Sequence, residues 1–192
     1  MNIKEVRDAT RVGRFKVSNK VFKGASPVLY PKTLVEVEYD KDFDKNLGKQ
    51  HLSIVYFFTR NGEIIKIGQT SAKSGFKDGC LSFYCNAGRD DCMINRFTIN
   101  WLIREEIGKG NNIEVYFQYM KPIKINVNGI FGSRYVEVPI SAKALEEACL
   151  EDYKISEKVN PEWNFQESGQ SLPKLISEAF ATYKLNRARA KK

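Results

Sequence analysis

The stretch SIVYFFTRNGEIIKIGQT, residues 53–70, constrains the fold of this chain more than any other part. Two short apolar runs, 54–58 and 64–67, flank the pair Asn61-Gly62. Both central residues of a type I′ turn need positive φ, so an Asn-Gly pair between apolar runs is the strongest short signal for a β-hairpin. The stretch therefore predicts two paired strands.

Two polar side chains interrupt the apolar runs of this predicted hairpin, Tyr56 in the first strand and Lys66 in the second. A lysine that points inward from a strand is unfavourable unless it meets an anion. We therefore expect Lys66 to have a function.

The other periodic segments predict a small α+β fold with a mixed sheet, in which the β-hairpin is flanked by helices. The 192 residues fit one domain with extensions. We divide the chain into a basic N-terminal arm and strand (1–50), a core (51–165), and a C-terminal helix with a basic tail (166–192). Strands are expected at 33–39 and 113–120, with a further one within 123–131. Helices are expected at 93–107, 141–154 and 173–185, the second of them with Ser141 as its N-cap.

The positive charge of the chain is concentrated at its two ends. The net charge is +8, with +6 in residues 1–32, +5 in 174–192 and −3 between them. Basic ends on a nearly neutral body favour a polyanionic partner, most often nucleic acid. The predicted DNA-binding residues are Arg7, Arg11, Arg14, Lys16, Lys20, Lys23, Arg187 and Arg189.

Several classes of protein do not fit the sequence. No apolar run approaches the 18 or so residues that a membrane span needs, and the first residues lack the apolar core of a signal peptide, so we expect a cytoplasmic protein with no membrane partner. The four cysteines show no CxxC spacing and His51 is the single histidine. Reduced, mostly buried thiols are therefore favoured over a zinc site.

The tripeptides IVY (54–56) and KIG (66–68) on the two predicted hairpin strands resemble the two naming motifs of the GIY-YIG nuclease family. The second motif has Lys66 where most members have tyrosine, which is similar to a type II restriction endonuclease branch of the family. The resemblance extends from Ser53 to Asn164. It implies hydrolysis of phosphodiester bonds in double-stranded DNA with Mg²⁺ or Mn²⁺ as cofactor.

The resemblance also implies roles for individual residues. Tyr56 would deprotonate the attacking water, with a lowered pKa, and Lys66 would offset charge on the phosphate. The family's catalytic arginine falls here on Phe76 or Lys77, of which only Lys77 has the right charge. Tyr84, on the same helical face as Lys77 if this segment is helical, would be an accessory residue, or alternatively a core residue.

The family's metal-binding glutamate must come from the predicted helix 141–154. Leu145 and Tyr153 mark the buried stripe of that helix, and Glu146 borders the stripe. We therefore expect Glu146 to be both catalytic and the metal ligand. Three glutamates compete for this role: Glu146, Glu147 and Glu151.

The loop NPEWN, residues 160–164, resembles the Pro-x-x-Asn that closes the family's domain. It nominates Asn164 as an accessory residue, with simple loop capping as the alternative.

The sequence thus predicts a metal-dependent endonuclease, of the sequence-specific restriction type, that forms a homodimer if its site is palindromic. One alternative is a catalytically weak or inactive DNA-binding protein on the same fold, since the expected arginine is missing. The other is a basic RNA-binding protein whose aromatic side chains stack on bases.

Overall fold

A computed structural model describes residues 1–21, 33–85 and 92–190 of the chain. Short 3-10 helices cover Ile3–Glu5 and Leu47–Lys49, and a π-helical turn covers Lys77–Leu81. The strands are β1 (Thr10–Val21), β2 (Thr33–Tyr39), β3 (Ile54–Arg60), β4 (Glu63–Thr70), β5 (Ile113–Tyr119), β6 (Ile123–Gly129) and β7 (Gly132–Val138). The α-helices are α1 (Ser82–Cys85), α2 (Ile94–Gly108), α3 (Ala142–Glu157), α4 (Phe165–Ser168) and α5 (Lys174–Ala190).

Five strands form one sheet in the order β2-β1-β5-β3-β4, and every pairing in it is antiparallel. The predicted α+β class is confirmed, but the predicted mixed sheet is wrong. Within the predicted N-terminal arm and strand, residues 10–21 form a long strand between β2 and β5. The apolar residues of β1 explain this position, since Val12 and Phe15 are buried in the sheet's core.

The predicted hairpin is β3 and β4, and its turn has the expected conformation. Asn61 has φ 52° and Gly62 has φ 91°, so both central residues lie in the left-handed region. The strand pairing shifts by one residue between Phe58–Lys66 and Thr59–Ile64. This β-bulge immediately precedes Lys66 in β4, and bulges commonly redirect a neighbouring side chain.

Both faces of the hairpin pack against other parts of the protein, which explains why its strands are mostly apolar. On one face Phe58 belongs to the main core with Phe15, Ile103 and Phe117. On the opposite face Val55, Phe57, Ile64 and Ile67 pack with Leu145, Cys149 and Tyr153 of α3. Helix α3 has the predicted N-cap, because the Ser141 hydroxyl accepts a hydrogen bond from the Ala144 N–H. It therefore lies against β3 and β4 with its predicted apolar stripe inward.

The N-terminus covers part of β4, the last strand of the sheet. The Ile3 N–H donates to the Gly62 carbonyl (2.9 Å), and the Ile64 N–H donates to the Met1 carbonyl (3.0 Å). The Met1 ammonium lies 3.4 Å from a Glu63 carboxylate oxygen. These contacts attach residues 1–3 to the outer side of the strand.

Strands β6 and β7 form a separate two-stranded ribbon that the sequence predicted only in part. It stands between β5 and α3 in the chain, and within the described residues β6 and β7 make extensive contact only with each other. No residue of the ribbon is buried. Among the helices of the described residues, none is both long and apolar enough to cross a membrane.

Candidate active site

A polar cavity of about 370 Å³ opens beside the β3–β4 hairpin. Four of the residues predicted from the sequence line it together: Tyr56, Lys66, Tyr84 and Glu146. They come from β3, β4, α1 and α3, so the fold brings together side chains that are up to 90 positions apart in the chain. The remaining lining residues are Gly68, Gln69, Met93, Asn95, Arg96, Ile99, Trp163, Phe165 and Gln166.

Two of the lining residues are tyrosines whose hydroxyl groups meet. The hydroxyl oxygens of Tyr56 and Tyr84 are 2.6 Å apart and share a hydrogen bond. Burial raises the pKa of Tyr56 well above its ordinary value, and the nearby Tyr84 adds to the effect. Burial likewise raises the pKa of Tyr84. The predicted lowered pKa of Tyr56 is therefore wrong for the free protein, because desolvation disfavours the phenolate.

The glycine of the second motif is required by the position of the Tyr56 ring. Gly68 pairs with Tyr56 across the hairpin. A Cβ atom at Gly68 would overlap the ring carbons and hydroxyl of Tyr56. The ring can therefore lie over β4 only where β4 has no side chain.

The structure distinguishes the three competing glutamates of α3 by their positions. Glu146 is half-buried and lines the cavity, close enough for its charge to raise the pKa of Tyr56 further. Glu147 is exposed and lies 3.5 Å from the Lys143 ammonium. Glu151 is exposed and is not one of the described residues that line the cavity.

Lys77 does not take the place of an arginine in this cavity. Its ammonium lies over the Tyr39 ring, 5.4 Å from the centroid, and Lys77 is not among the described lining residues. Arg96 of α2 lines the cavity instead, with its guanidinium 3.9 Å from the Phe83 ring centroid. The sequence motifs did not predict Arg96, because they place the family's arginine at a fixed spacing after the second motif, whereas Arg96 lies in the first turn of the predicted helix 93–107.

Asn164 is buried, and its side chain holds the backbone of β4. The Ile67 N–H donates to Asn164 Oδ1 (2.9 Å), and Asn164 Nδ2 donates to the Ile67 carbonyl (2.8 Å). The neighbouring Trp163 N–H donates to the Ile65 carbonyl (2.8 Å). Asn164 is absent from the described cavity lining, so its position supports the loop-capping alternative.

Three of the predicted DNA-binding residues of β1, Arg11, Arg14 and Lys16, are already paired with carboxylates. Arg11 contacts Asp40 (2.6 Å) and Glu114 (2.8 Å). The same strand pairs Arg14 with Glu38 (2.6 Å) and Lys16 with Glu36 (3.4 Å). Arg7 lines a second cavity, next to α3. Lys23 and the side chains of Lys20, Arg187 and Arg189 lie outside the described residues.

The donor set of the cavity fits a single divalent cation with an oxygen-rich shell. Glu146 is the one carboxylate in the described lining. The described residues contain no group of three or more His, Cys, Asp or Glu side chains placed to hold a metal. Mg²⁺ is commonly held by one or two carboxylates plus substrate phosphates and waters, so Glu146 is sufficient for it.

No family model matches this chain, and no curated protein matches it. Among solved structures, it is similar to a mutant of bacteriophage T4 EndoII, with a TM-score of 0.47 and 18% identity over 85% of this chain and 98% of that one. It is also similar to the restriction endonuclease HPY188I in complex with product DNA, with a TM-score of 0.38 and 14% identity over 84% of each chain. Both TM-scores lie below 0.5, so neither likeness bears on what this chain does.

Proposed function

We propose that this chain is a metal-dependent endonuclease that hydrolyses phosphodiester bonds in double-stranded DNA, with the sequence specificity of a restriction-type enzyme. One observation carries the proposal. A single cavity is lined by one carboxylate, two cationic side chains and a pair of hydroxyl groups: Glu146, Lys66, Arg96, Tyr56 and Tyr84. Phosphodiester hydrolysis needs these kinds of group, because negative charge grows on the phosphorus-bound oxygens while water attacks.

The two cations have distinct tasks in this proposal. Arg96 presents a planar guanidinium that can bond two phosphate oxygens at once, and its ring contact with Phe83 limits its motion. Lys66 supplies a point charge from the bulged part of β4. Both offset the charge that develops on the phosphate in the transition state.

The tyrosine pair acts in its protonated form. A hydroxyl with a raised pKa is a hydrogen-bond donor at neutral pH, so Tyr56 orients the attacking water or a phosphate oxygen. Tyr84 fixes the Tyr56 hydroxyl through their 2.6 Å contact. Tyr56 is thus a positioning group in the free enzyme, and it does not enter the reaction already ionised.

Glu146 would hold the divalent cation at the wall of the cavity. When bound, such a cation supplies Lewis-acid stabilisation of the phosphate and the leaving oxygen. The attacking water forms the new phosphorus–oxygen bond and releases a proton to solvent. The bond from phosphorus to the leaving deoxyribose oxygen breaks, and that oxygen takes up a proton from solvent. The chain itself contributes the Glu146 carboxylate, which would bind the metal ion, and the Lys66 and Arg96 side chains, which would bind the phosphate.

Incubation of the purified protein with supercoiled plasmid tests the proposal. We expect nicked and linear products with Mg²⁺ or Mn²⁺ and none with EDTA. Glu146→Gln should lower the cleavage rate by on the order of 10³-fold, because the cation loses its protein ligand. Fluorescence anisotropy with a labelled duplex should show that this variant still binds DNA.

Glu147→Gln is the matched control, since it changes the adjacent, solvent-exposed glutamate of the same helix. We expect its rate to equal that of the wild type. Full activity in Glu146→Gln would refute the assignment of the cation site. Duplex binding by wild type without cleavage under any divalent cation would favour a DNA-binding protein on the same fold.

A further inference from the structure

The β6–β7 ribbon ends in a pair of large apolar residues that the turn does not need. Ile130 and Phe131 are the two central residues, 93% and 101% exposed, between Gly129 and Gly132. Two-residue hairpin turns favour Asn-Gly or Gly-containing pairs, because these tolerate positive φ. The first hairpin follows this rule with Asn61-Gly62, whereas the ribbon places isoleucine and phenylalanine in water.

One face of the ribbon is polar and carries groups that hydrogen-bond nucleic acid. Side chains alternate between faces along a strand, so Lys124, Asn126 and Asn128 share a face with their cross-strand partners. Those partners are Glu137, Tyr135 and Ser133. The single acid of this face, Glu137, lies 3.6 Å from the Lys124 ammonium.

The charge of the ribbon favours a polyanion over a second copy of the chain. Residues 120–138 contain Lys121, Lys124, Arg134 and one acid, for a net charge of +2. Two copies of a chain with net charge +8 repel each other, whereas a duplex attracts both. A stable dimer needs about 800 Å² buried per partner, and two side chains at a tip supply well under that area.

The ribbon leaves the sheet at the end of the strands that lies beside the cavity. Ile54 of β3 pairs with Thr70 on one side and with Tyr119 on the other, so β4 ends where β5 leads into the ribbon. Gly68 and Gln69 of the cavity lie within two residues of Thr70. Seven residues per strand give the ribbon a reach of roughly 23 Å, the length of about seven base pairs.

We infer that the ribbon inserts Phe131 and Ile130 as an apolar wedge between base pairs of a duplex, within about one helical turn of the phosphate held in the cavity. The inference rests on the proposed function for the position of the duplex. Proteins commonly insert such apolar side chains between base steps, and the insertion unstacks the bases and kinks the helix. The polar face and Lys121 then contact the adjacent phosphates and base edges.

The test compares binding to an intact duplex with binding to the same duplex carrying a single-base bulge, which is already unstacked. Anisotropy is measured with the Glu146→Gln protein, so that cleavage plays no part. Insertion of a wedge costs free energy for unstacking base pairs only on the intact duplex. We therefore expect about tenfold tighter binding to the bulged duplex. Phe131→Ala in the same protein should reduce this ratio to about one.

Leu175→Ala is the matched control, because Leu175 is an apolar residue of α5 that is 65% exposed. We expect it to keep the tenfold ratio. Permanganate should oxidise thymines at one step of the bound intact duplex, and Phe131→Ala should abolish that reactivity. Phe131 is fully exposed, so the variant keeps its core, which circular dichroism verifies.

The outcomes separate this inference from the proposed function. Plasmid cleavage with a bulge ratio of one in the Glu146→Gln protein would overturn the wedge and leave the nuclease intact. A Phe131-dependent ratio with no cleavage by the wild-type chain would support the wedge and refute the nuclease. If Phe131→Ala instead changes the oligomeric state in sedimentation velocity and leaves the ratio unchanged, the tip is an interface between copies and the wedge is refuted.

Discussion

The chain contains two β-hairpins of almost equal length, one mostly buried and the other exposed. The β3–β4 hairpin has seven and eight residues in its strands, and eleven of these fifteen residues are buried. The β6–β7 ribbon has seven residues in each strand, and none is buried. The first is read as a strand pair from its apolar runs, whereas the second mixes isoleucine and valine with asparagine and lysine.

The difference shows that the local sequence signals that form a hairpin do not determine its role in the structure. In the first hairpin the turn residues are ideal, and the unusual residues lie inside the strands, at Tyr56 and Lys66. In the ribbon the strands are ordinary, and the unusual residues lie at the turn, at Ile130 and Phe131. In each case the position that departs from local preference is the position to which we assign a function.

The largest expected difference between the two hairpins is in stability. Phe58→Ala removes a ring that is wholly buried against Phe15 and Tyr84, so it should lower the free energy of unfolding by about 3–5 kcal/mol. Phe131→Ala removes an equally large ring from solvent and should change it by less than about 0.5 kcal/mol. Urea unfolding followed by circular dichroism measures both. Equal losses would mean that Phe131 packs against something in solution.

A cationic side chain near each hairpin gives the second contrast. Arg96→Ala should lower the cleavage rate at saturating DNA by about 10²–10³-fold, because the transition-state charge loses a preorganised partner. Lys124→Ala, on the polar face of the exposed ribbon, should leave that rate unchanged and weaken binding instead. If Lys124 contacts one phosphate, its removal flattens the slope of log K against log salt by about 0.9.

The spacing of the sequence motifs nominates Lys77 as the catalytic cation, whereas the structure places Arg96 in the cavity. The variant Lys77→Ala distinguishes these two assignments. Lys77 lies over Tyr39 and outside the described cavity lining, so we expect at least half of the wild-type rate. A loss larger in Lys77→Ala than in Arg96→Ala would return the catalytic role to Lys77.

Removal of one hydroxyl from each hairpin gives a smaller contrast. Tyr56→Phe deletes the hydroxyl that faces Tyr84 and orients the attacking water or a phosphate oxygen, so it should slow cleavage by on the order of 10²-fold, while the ring still packs. Tyr135→Phe deletes a hydroxyl from the ribbon and should leave the single-turnover rate unchanged. Single-turnover assays measure the chemical step in both variants. An unchanged rate in Tyr56→Phe would make Tyr56 a core tyrosine alone.

The smallest expected effect is a loss of folding stability at alkaline pH. Burial raises the pKa of Tyr84 above that of an unfolded tyrosine and raises the pKa of Cys80 to about 12. The folded chain then holds these protons after the unfolded chain has lost them, so stability is complete below about pH 9 and falls as pH rises further. Each group contributes a slope of up to about 1.4 kcal/mol per pH unit.

Urea unfolding between pH 8 and pH 11 measures this slope. Tyr84→Phe should reduce the slope above about pH 10, where the unfolded tyrosine ionises. An identical slope in wild type and variant would contradict the raised pKa of Tyr84.

The sequence predicts those parts of the fold whose signals are local. The Asn61-Gly62 turn, the Ser141 cap and the apolar stripe of α3 are all found in place, because each depends on neighbouring residues alone. The position of β1 within the sheet could not be predicted in this way. Its pairing with β5 joins residues about 100 positions apart, and no local pattern reports such a partner.

The candidate site shows the same division. Tyr56, Lys66 and Glu146, which line the cavity together, could be singled out from the sequence because two of them interrupt the apolar pattern of a strand and the third borders the apolar stripe of its helix. Arg96 was missed because its helix approaches the cavity only through packing of α2 on the sheet. The raised pKa of Tyr56 was also missed, since desolvation depends on every element that covers the ring.

The loop at Asn164 has a consequence for how the molecule behaves among its own copies. β4 is the last strand of the sheet, and a bare edge strand is a template on which another chain can pair and start aggregation. Residues 1–3 occupy the outer hydrogen-bonding groups at Gly62 and Ile64, and Trp163 and Asn164 occupy those at Ile65 and Ile67. These two segments thus occupy the position of a sixth strand and prevent a neighbouring molecule from pairing with this edge.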